Sequence, residues 1–368
     1  MIRLARPDID EEDISAVAEV LRTGYLVQGE HVSHFEAEIA AMCGARHAIA
    51  VSNCTAALHL SLLAIGVSPG DIVAVAPYSW PATANVIELC GGQPRFVDIA
   101  DDTYGMDPAM LRRALAELPR PRAIVVVHAF GRMAAIRELT AIAAEFDVPV
   151  IEDAACALGA SVDGQAAGHW GAIGCFSFHP RKAVTTGEGG MIVTDDDTLA
   201  WKCRVARNHG QDPSQTPSPF IAAGYNLRLT EFQAALGSTQ LRKLSRLVGV
   251  RRGRARRYGE LLANLPLVLP NEGPAGAHVY QSYVLMLSQE AAGRRDSVIG
   301  ALRTRGVETS IGTHHIPMLT YYRKKYGYTF NDCPVSAAIS RRSLAIPMHS
   351  WLTDEEQREV AKAIGNAL

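Results

Sequence analysis

Two residues of this chain have the type and spacing for covalent chemistry, Lys182 and Asp153. Lys182 stands in the stretch Gly174-Cys-Phe-Ser-Phe-His-Pro-Arg-Lys-Ala-Val-Thr-Thr-Gly-Glu-Gly-Gly190. The apolar run from Ile173 to Phe178 predicts a buried strand, and Pro180 stops it because proline removes a ladder donor. Thr185-Thr186-Gly187 turns the chain, Gly189-Gly190 lets it pass through crowded space, and Met191 to Thr194 begins another strand. The lysine therefore sits in a tight loop between two core strands, either on the rim in water or pointing into a pocket. Upstream, Val148-Pro-Val-Ile-Glu-Asp is a short apolar strand ending in Glu152-Asp153, 29 positions before Lys182. In open α/β sheets ligands bind at the carboxyl ends of strands. A buried carboxylate there needs a cationic partner. A pyridinium nitrogen is such a partner, and a lysine that forms a Schiff base is the other half of a pyridoxal phosphate site. Either residue alone fits a purely structural place, and it is the pair that points to the cofactor.

The elements around this pair add weaker signals. Asn53-Cys54-Thr55 caps a helix expected to run to Ile65. Such a cap is plain helix initiation or a phosphate cradle, since free amides and the dipole at a helix N-terminus attract anions. Trp80, in Pro77-Tyr-Ser-Trp-Pro-Ala-Thr83 between a strand and a helix, is either core packing or an aromatic that stacks on a flat heterocycle. Strands are expected at 48–51, 72–75, 95–98 and 123–127, alternating with helices at 81–89, 108–118 and 133–146. Several of these strands are continuously apolar, the pattern of a parallel sheet covered on both faces. Helices at 8–23 and around Phe35 to Met42 precede them, and one at 196–206 follows. A single long helix is expected from Phe232 to about Leu262 with Thr230 as its N-cap. The large α/β domain is placed at 1–250, its N-terminal segment free to pack with the small domain, and a smaller α+β domain at 251–368. In the latter, 280–287 and 307–309 are expected strands, 312–317 a loop, and the basic run Arg251 to Arg257 a solvated face.

Composition limits the function classes. The chain has 368 residues, net charge −2 and 20% charged residues, so it carries no basic footprint for nucleic acid. Its seven cysteines are scattered with no C-x-x-C pair, which suggests reduced thiols in the cytoplasm. The N-terminus lacks an apolar core of signal-peptide length, and no run reaches the roughly 18 apolar residues of a membrane span. No metal site is expected.

With these residues in place, the chain resembles the DegT/StrS-type sugar aminotransferases over essentially its whole length. The segments that carry the resemblance are Thr55-Ala-Ala-Leu58, Asp153-Ala-Ala155, Ser177-Phe-His-Pro-Arg-Lys182, Thr185-Thr-Gly-Glu-Gly-Gly190 and Asn226-Leu-Arg228. The resemblance implies an aspartate aminotransferase-like fold, fold type I of the pyridoxal phosphate enzymes. It implies Lys182 as Schiff-base lysine and Asp153 as pyridinium partner, with Thr55, Ala56 and Ser177 on the phosphate and Trp80 on the ring. It further implies a homodimer with shared sites, in which Asn226 reaches the neighbour's phosphate, and transfer of an amino group from glutamate to a keto-sugar nucleotide. A keto-cyclitol acceptor, a dehydratase and a non-catalytic regulatory protein are the alternatives. Lys182 argues against the dehydratase, since the dehydrating branch of the family has histidine there. The sequence departs from the family in Cys156, where glutamine is frequent near the ring, in Cys54, where glycine is common, and in Arg181, where a small hydroxyl residue is common. His179, His314, His315, Tyr25 and Gln28 are candidate substrate contacts.

Overall fold

A computed structural model of the chain describes residues 1–117, 119 and 121–368. It opens with α1 (Glu11–Thr23), closed at its start by a reciprocal capping box between Asp10 and Asp13, and α2 (Glu30–Cys43). Then β1 (His47–Val51) leads into α3 (Cys54–Ile65), and strands alternate with helices. These are β2 (Ile72–Val75), the short β3 (Tyr78–Ser79), α4 (Ala82–Leu89), β4 (Gln93–Phe96), α5 (Pro108–Glu117), β5 (Ala123–Val127), α6 (Ile136–Glu145) and β6 (Val150–Asp153). The expected end of α5 at residue 118 lies outside the described residues. A small hairpin of β7 (Ser161–Val162) and β8 (Gln165–Ala166) precedes β9 (Ile173–Ser177), β10 (Gly190–Thr194) and α7 (Asp197–Arg207).

Seven of these strands form one sheet in the order β1-β10-β9-β6-β5-β2-β4. From β9 to β4 all neighbours are parallel, and β10 runs antiparallel to both β9 and β1. The strands are buried on both faces, which is why their sequences are apolar without alternation. Ile124 and Val126 of β5 face one core with Phe35, Ile39 and Phe178, while Ala123 and Val125 face the other with Leu60, Leu62 and Ile87. This is the α/β, mostly parallel architecture expected from the sequence.

The remainder differs from expectation in instructive ways. The long helix is two, α8 (Glu231–Arg242) and α9 (Leu244–Leu262), broken at Lys243. Its Nζ lies 2.6 Å from Asp10 and 2.5 Å from Asp13, so the break occurs where the lysine is tied to the α1 cap. After β11 (Leu267–Val268), β12 (Tyr283–Leu287) starts later than Tyr280, which has a left-handed φ of 48°. Following α10 (Arg295–Thr304), the expected strand at 307–309 lies instead at β13 (Ser310–Ile311), with Val307 bridging only Ile2. The expected loop at 312–317 contains β14 (His314–His315), which pairs with β3 in a separate two-stranded sheet and so ties the C-terminal part to the segment between β2 and α4. Then come α11 (Thr320–Tyr326), α12 (Pro334–Arg342), β15 (Ser343–Ile346) and α13 (Asp354–Gly365), and a second sheet runs antiparallel in the order β11-β12-β15-β13. The basic run is not a solvated face. Arg251 is buried and donates to the carbonyls of Tyr280, Gln281 and Met348, and Arg254 pairs with Asp354. Among the described residues no helix is long and apolar enough to cross a membrane.

Candidate active site

β6 and β9 are parallel neighbours, with Asp153 opposite Cys175. Their carboxyl ends therefore open side by side, Asp153 closing one strand and Ser177 the other. The period of two places Glu152 and Asp153 on opposite faces. Glu152 is saturated: it accepts the amides of Gly168, Trp170 and Gly171, and its Oε2 lies 2.8 Å from His128 Nε2. His128 Nδ1 accepts the Ala134 amide, so the hydrogen is on Nε2. That dyad is a fully buried brace under the site.

Asp153 is different. Its Oδ2 accepts from Thr83 Oγ1 at 2.7 Å and its Oδ1 from the Ala155 amide at 3.2 Å. Thr83 in turn lies 2.9 Å from Ser79 Oγ, so a hydroxyl at the start of α4, itself held by one at the end of β3, steadies the carboxylate. Asp153 is 5% exposed, and among the described residues no ion pair engages it. A buried carboxylate with no direct ion pair is the environment a pyridinium nitrogen completes.

Lys182 is held by a turn in which its amide donates to His179 O at 2.8 Å, and the neighbouring Arg181 carbonyl accepts from Gln281 Nε2. Its Nζ donates to Cys156 Sγ at 3.0 Å. Burial pushes the ammonium down, but Cys156, Cys54 and Asp153 outweigh it, and the chain's own residues hold Lys182 above the ordinary lysine value. A cationic ring beside the amine would have to reverse that balance to leave it neutral.

The α3 end supplies anion chemistry. Asn53 Oδ1 accepts the Ala56 amide at 2.9 Å, whereas the amides of Cys54 and Thr55 have no acceptor among the described residues. The two free donors sit at the positive end of the helix dipole. β10 presses on this end at Gly190, where a Cβ would lie 2.5 Å from Asn53 C and 2.7 Å from Cys54 N. Ser177, half-buried, is at the end of the neighbouring β9. The residues present thus fit pyridoxal phosphate: an amine, an unpaired buried carboxylate and a helix end with open amides.

The other expected contacts are dispersed. Trp80 is 66% exposed, with its ring 5.3 Å from His314 across the β3–β14 pairing. His179 is half-buried, and burial lowers its ring pKa. His315 is withdrawn into the interior: its Nδ1 lies 2.8 Å from Ser336 Oγ, it stacks on Phe330, and burial pushes it down to about 4. Tyr25 is 82% exposed. Gln28 lines a separate cavity of about 660 Å³ with Arg204, Arg207 and Arg228 rather than the Lys182 pocket. Asn226 is exposed, and its backbone bridges Asn208. Thr83 and Ser79 are parts of the candidate site that sequence reasoning missed, whereas the Asn53-Cys54-Thr55 cap and the Gly-Gly pair carried local signals.

The sequence profile of the DegT/DnrJ/EryC1/StrS aminotransferase family matches residues 7–365. The chain belongs to that family. It is a pyridoxal phosphate-dependent aminotransferase with the fold of its relatives. The chain is 36% identical to the spore coat polysaccharide biosynthesis protein SpsC of Bacillus subtilis, across 97% of this chain and 95% of the relative. It is 34% identical to the GDP-perosamine synthase of Caulobacter vibrioides, across 100% and 98%. The crystal structure of DesI, studied in the presence of its TDP-sugar product, superposes with a TM-score of 0.89 at 30% identity, covering 100% of this chain and 92% of that one.

Proposed function

We propose that this aminotransferase moves an amino group from an amino acid, glutamate by preference, to the ketone of a sugar nucleotide, in the making of an amino-deoxysugar. The observation that carries the reading is the juxtaposition of Lys182 with the buried, unpaired Asp153 at the carboxyl ends of adjacent strands. The substrate class is supported by the relatives, one named for GDP-perosamine and one studied with a TDP-sugar product.

When bound, pyridoxal phosphate supplies a carbonyl that takes up the amino group and a ring that accepts electrons from the adjacent carbon. Lys182 would hold the cofactor through Nζ, and its amine would serve as the group that moves the proton at the reacting carbon. Asp153 keeps the proton on the ring nitrogen, with Thr83 and Ala155 fixing the carboxylate. The amides of Cys54 and Thr55, with Ser177 beside them, bind the phosphate. Trp80 covers the mouth of the site, where His314 and His179 are placed to meet the sugar or its diphosphate. Residues 1–250 form the cofactor-bearing domain and 251–368 the smaller one. Two copies pair so that Asn226 of each serves the other. The seven free thiols suit a reducing, cytoplasmic setting.

The test is a panel of keto-sugar nucleotides and keto-cyclitols incubated with the loaded enzyme and nitrogen-labelled glutamate, with products read by mass. A labelled amino sugar nucleotide is expected. Label appearing only in a cyclitol, or a product that has lost water without gaining nitrogen, overturns the assignment.

A further inference from the structure

We infer that Cys156 and Lys182 form a reversible oxidative cross-link, a sulfur–nitrogen bond made when a peroxide reaches the thiol while the lysine amine is uncommitted. Two independent observations carry this. The first is proximity: Lys182 Nζ donates to Cys156 Sγ at 3.0 Å, on a side chain whose four methylenes let it close the remaining gap. The second is selectivity. Of the seven cysteines only Cys156 is partly exposed; the other six are buried. Burial pushes the thiols of Cys43 and Cys203 up to about 12 and that of Cys90 up to about 11, and those of Cys54, Cys175 and Cys333 are raised too. The thiolate is the form that peroxide oxidises, so these six are slow and Cys156 is the reactive thiol.

The chemistry balances. Peroxide transfers one oxygen to the Cys156 sulfur, which is oxidised to the sulfenic acid while the O–O bond is reduced and water leaves. A sulfenic acid condenses with a nearby thiol or nitrogen. None of the seven thiols is in a disulfide, and the Lys182 amine is the nucleophile in contact. Once the ammonium has given one proton to solvent its lone pair attacks sulfur, the S–O bond breaks, and the departing hydroxide takes a proton from nitrogen as a second water. The linked pair has two hydrogens fewer than the starting side chains. A small thiol reverses it by attacking sulfur and releasing the amine, and a second thiol resolves the mixed disulfide.

The cross-link rests on this chain's geometry alone. Its blockade by cofactor rests on the role proposed for Lys182, and one experiment separates the two. The full-length chain, cofactor-free and loaded with pyridoxal phosphate, is exposed to hydrogen peroxide and digested. Peptides are mapped by mass, and sulfenic acid is trapped with a dimedone probe. The cofactor-free chain is expected to yield a linked peptide pair carrying 156 and 182, two hydrogens light and restored by excess thiol. Cys156→Ser loses the link. Lys182→Arg loses it too, but accumulates dimedone-trapped Cys156. The loaded chain is protected. Equal linking in both forms would leave the cross-link standing and remove Lys182 as the cofactor lysine. Oxidation that stops at Cys156 with Lys182 unlinked, a buried cysteine reacting first, or an inert Cys156 overturns the inference.

Discussion

Gly190→Ala tests the anion cradle most directly. An added Cβ would lie 2.5 Å from Asn53 C, 2.6 Å from Asn53 O and 2.7 Å from Cys54 N. All three are backbone atoms, so no side chain can swing aside. To reach ordinary contact at 3.4 Å, β10 and the start of α3 must separate by about 0.9 Å. β10 is clamped between β1 and β9, so the helix end yields. A shift of that size breaks a hydrogen bond. The Cys54 and Thr55 amides would each give a charge-assisted bond to phosphate, worth about 1.5–3 kcal/mol. Loss of the equivalent of one strong bond, about 3 kcal/mol, weakens cofactor affinity roughly 10²-fold. The cofactor-free fold loses about 1–3 kcal/mol from overpacking. The assay is a titration with pyridoxal phosphate followed by visible absorbance, beside urea unfolding of the cofactor-free chain. Gly249→Ala, in the middle of α9 with open space at its Cβ, is the control. It is expected to gain up to about 1 kcal/mol and leave affinity unchanged. If Gly190→Ala is destabilised yet binds cofactor as tightly as before, the α3 amides do not hold the phosphate and the reasoning fails.

Four further outcomes are expected. Lys182→Ala should lose covalent cofactor attachment, read as the absence of a borohydride-trapped adduct, and nearly all turnover; retained transamination refutes its role. Asp153→Asn should keep bound cofactor but slow exchange of the donor's α-hydrogen with deuterated solvent, and an unchanged exchange rate removes it as the ring-nitrogen partner. Cys156→Ala removes the largest influence raising Lys182, leaving only Cys54 and Asp153 to oppose the burial that pushes the ammonium down. Cofactor capture by the free chain needs the neutral amine, so its pH midpoint should fall in this variant; a midpoint that stays or rises contradicts the electrostatic account. In the wild type, the stability contributed by the raised lysine is present below its unfolded value and lost as pH rises through the folded one, and Cys156→Ala should flatten that alkaline loss. Finally, Lys182→Ala and Asn226→Ala homodimers should each be weak and regain activity on mixing, up to roughly half per heterodimer by two-fold symmetry. The loop carrying Asn226 is anchored to its own chain, Ser52 donating to Leu227 O at 2.8 Å. Heterodimers that stay inactive would therefore assign Asn226 to its own site.

Local signals were legible because they need only neighbours in sequence. The Asn53 and Thr230 caps lie where side chain and helix start are adjacent. What was not legible depends on partners far along the chain. Thr83 is 70 positions from the Asp153 it steadies, and nothing in Pro-Ala-Thr announces a hydroxyl aimed at a carboxylate. Arg251 belongs to a run that composition assigns to solvent, yet three carbonyls from two other segments take its protons. The two-residue β14 is too short for any periodicity to show.

Glu152-Asp153 marks where the two kinds of information meet. A strand's alternation is enough to send adjacent carboxylates to opposite faces, so the sequence already divides them. It does not say which of the two is left for a ligand. Both are buried and both end an apolar strand. The decision comes from counting donors. Three amides from the 168–171 segment and the His128 ring converge on Glu152, two on each oxygen, which fills the carboxylate's acceptor sites. Asp153 receives one hydroxyl and one amide, and keeps lone pairs that no ion pair among the described residues takes up, the Lys182 ammonium acting on it only from a distance. A buried charge in that state is costly unless something positive arrives. The deficit at Asp153, set against the saturation one residue earlier, is the physical reason the site needs a cationic ring.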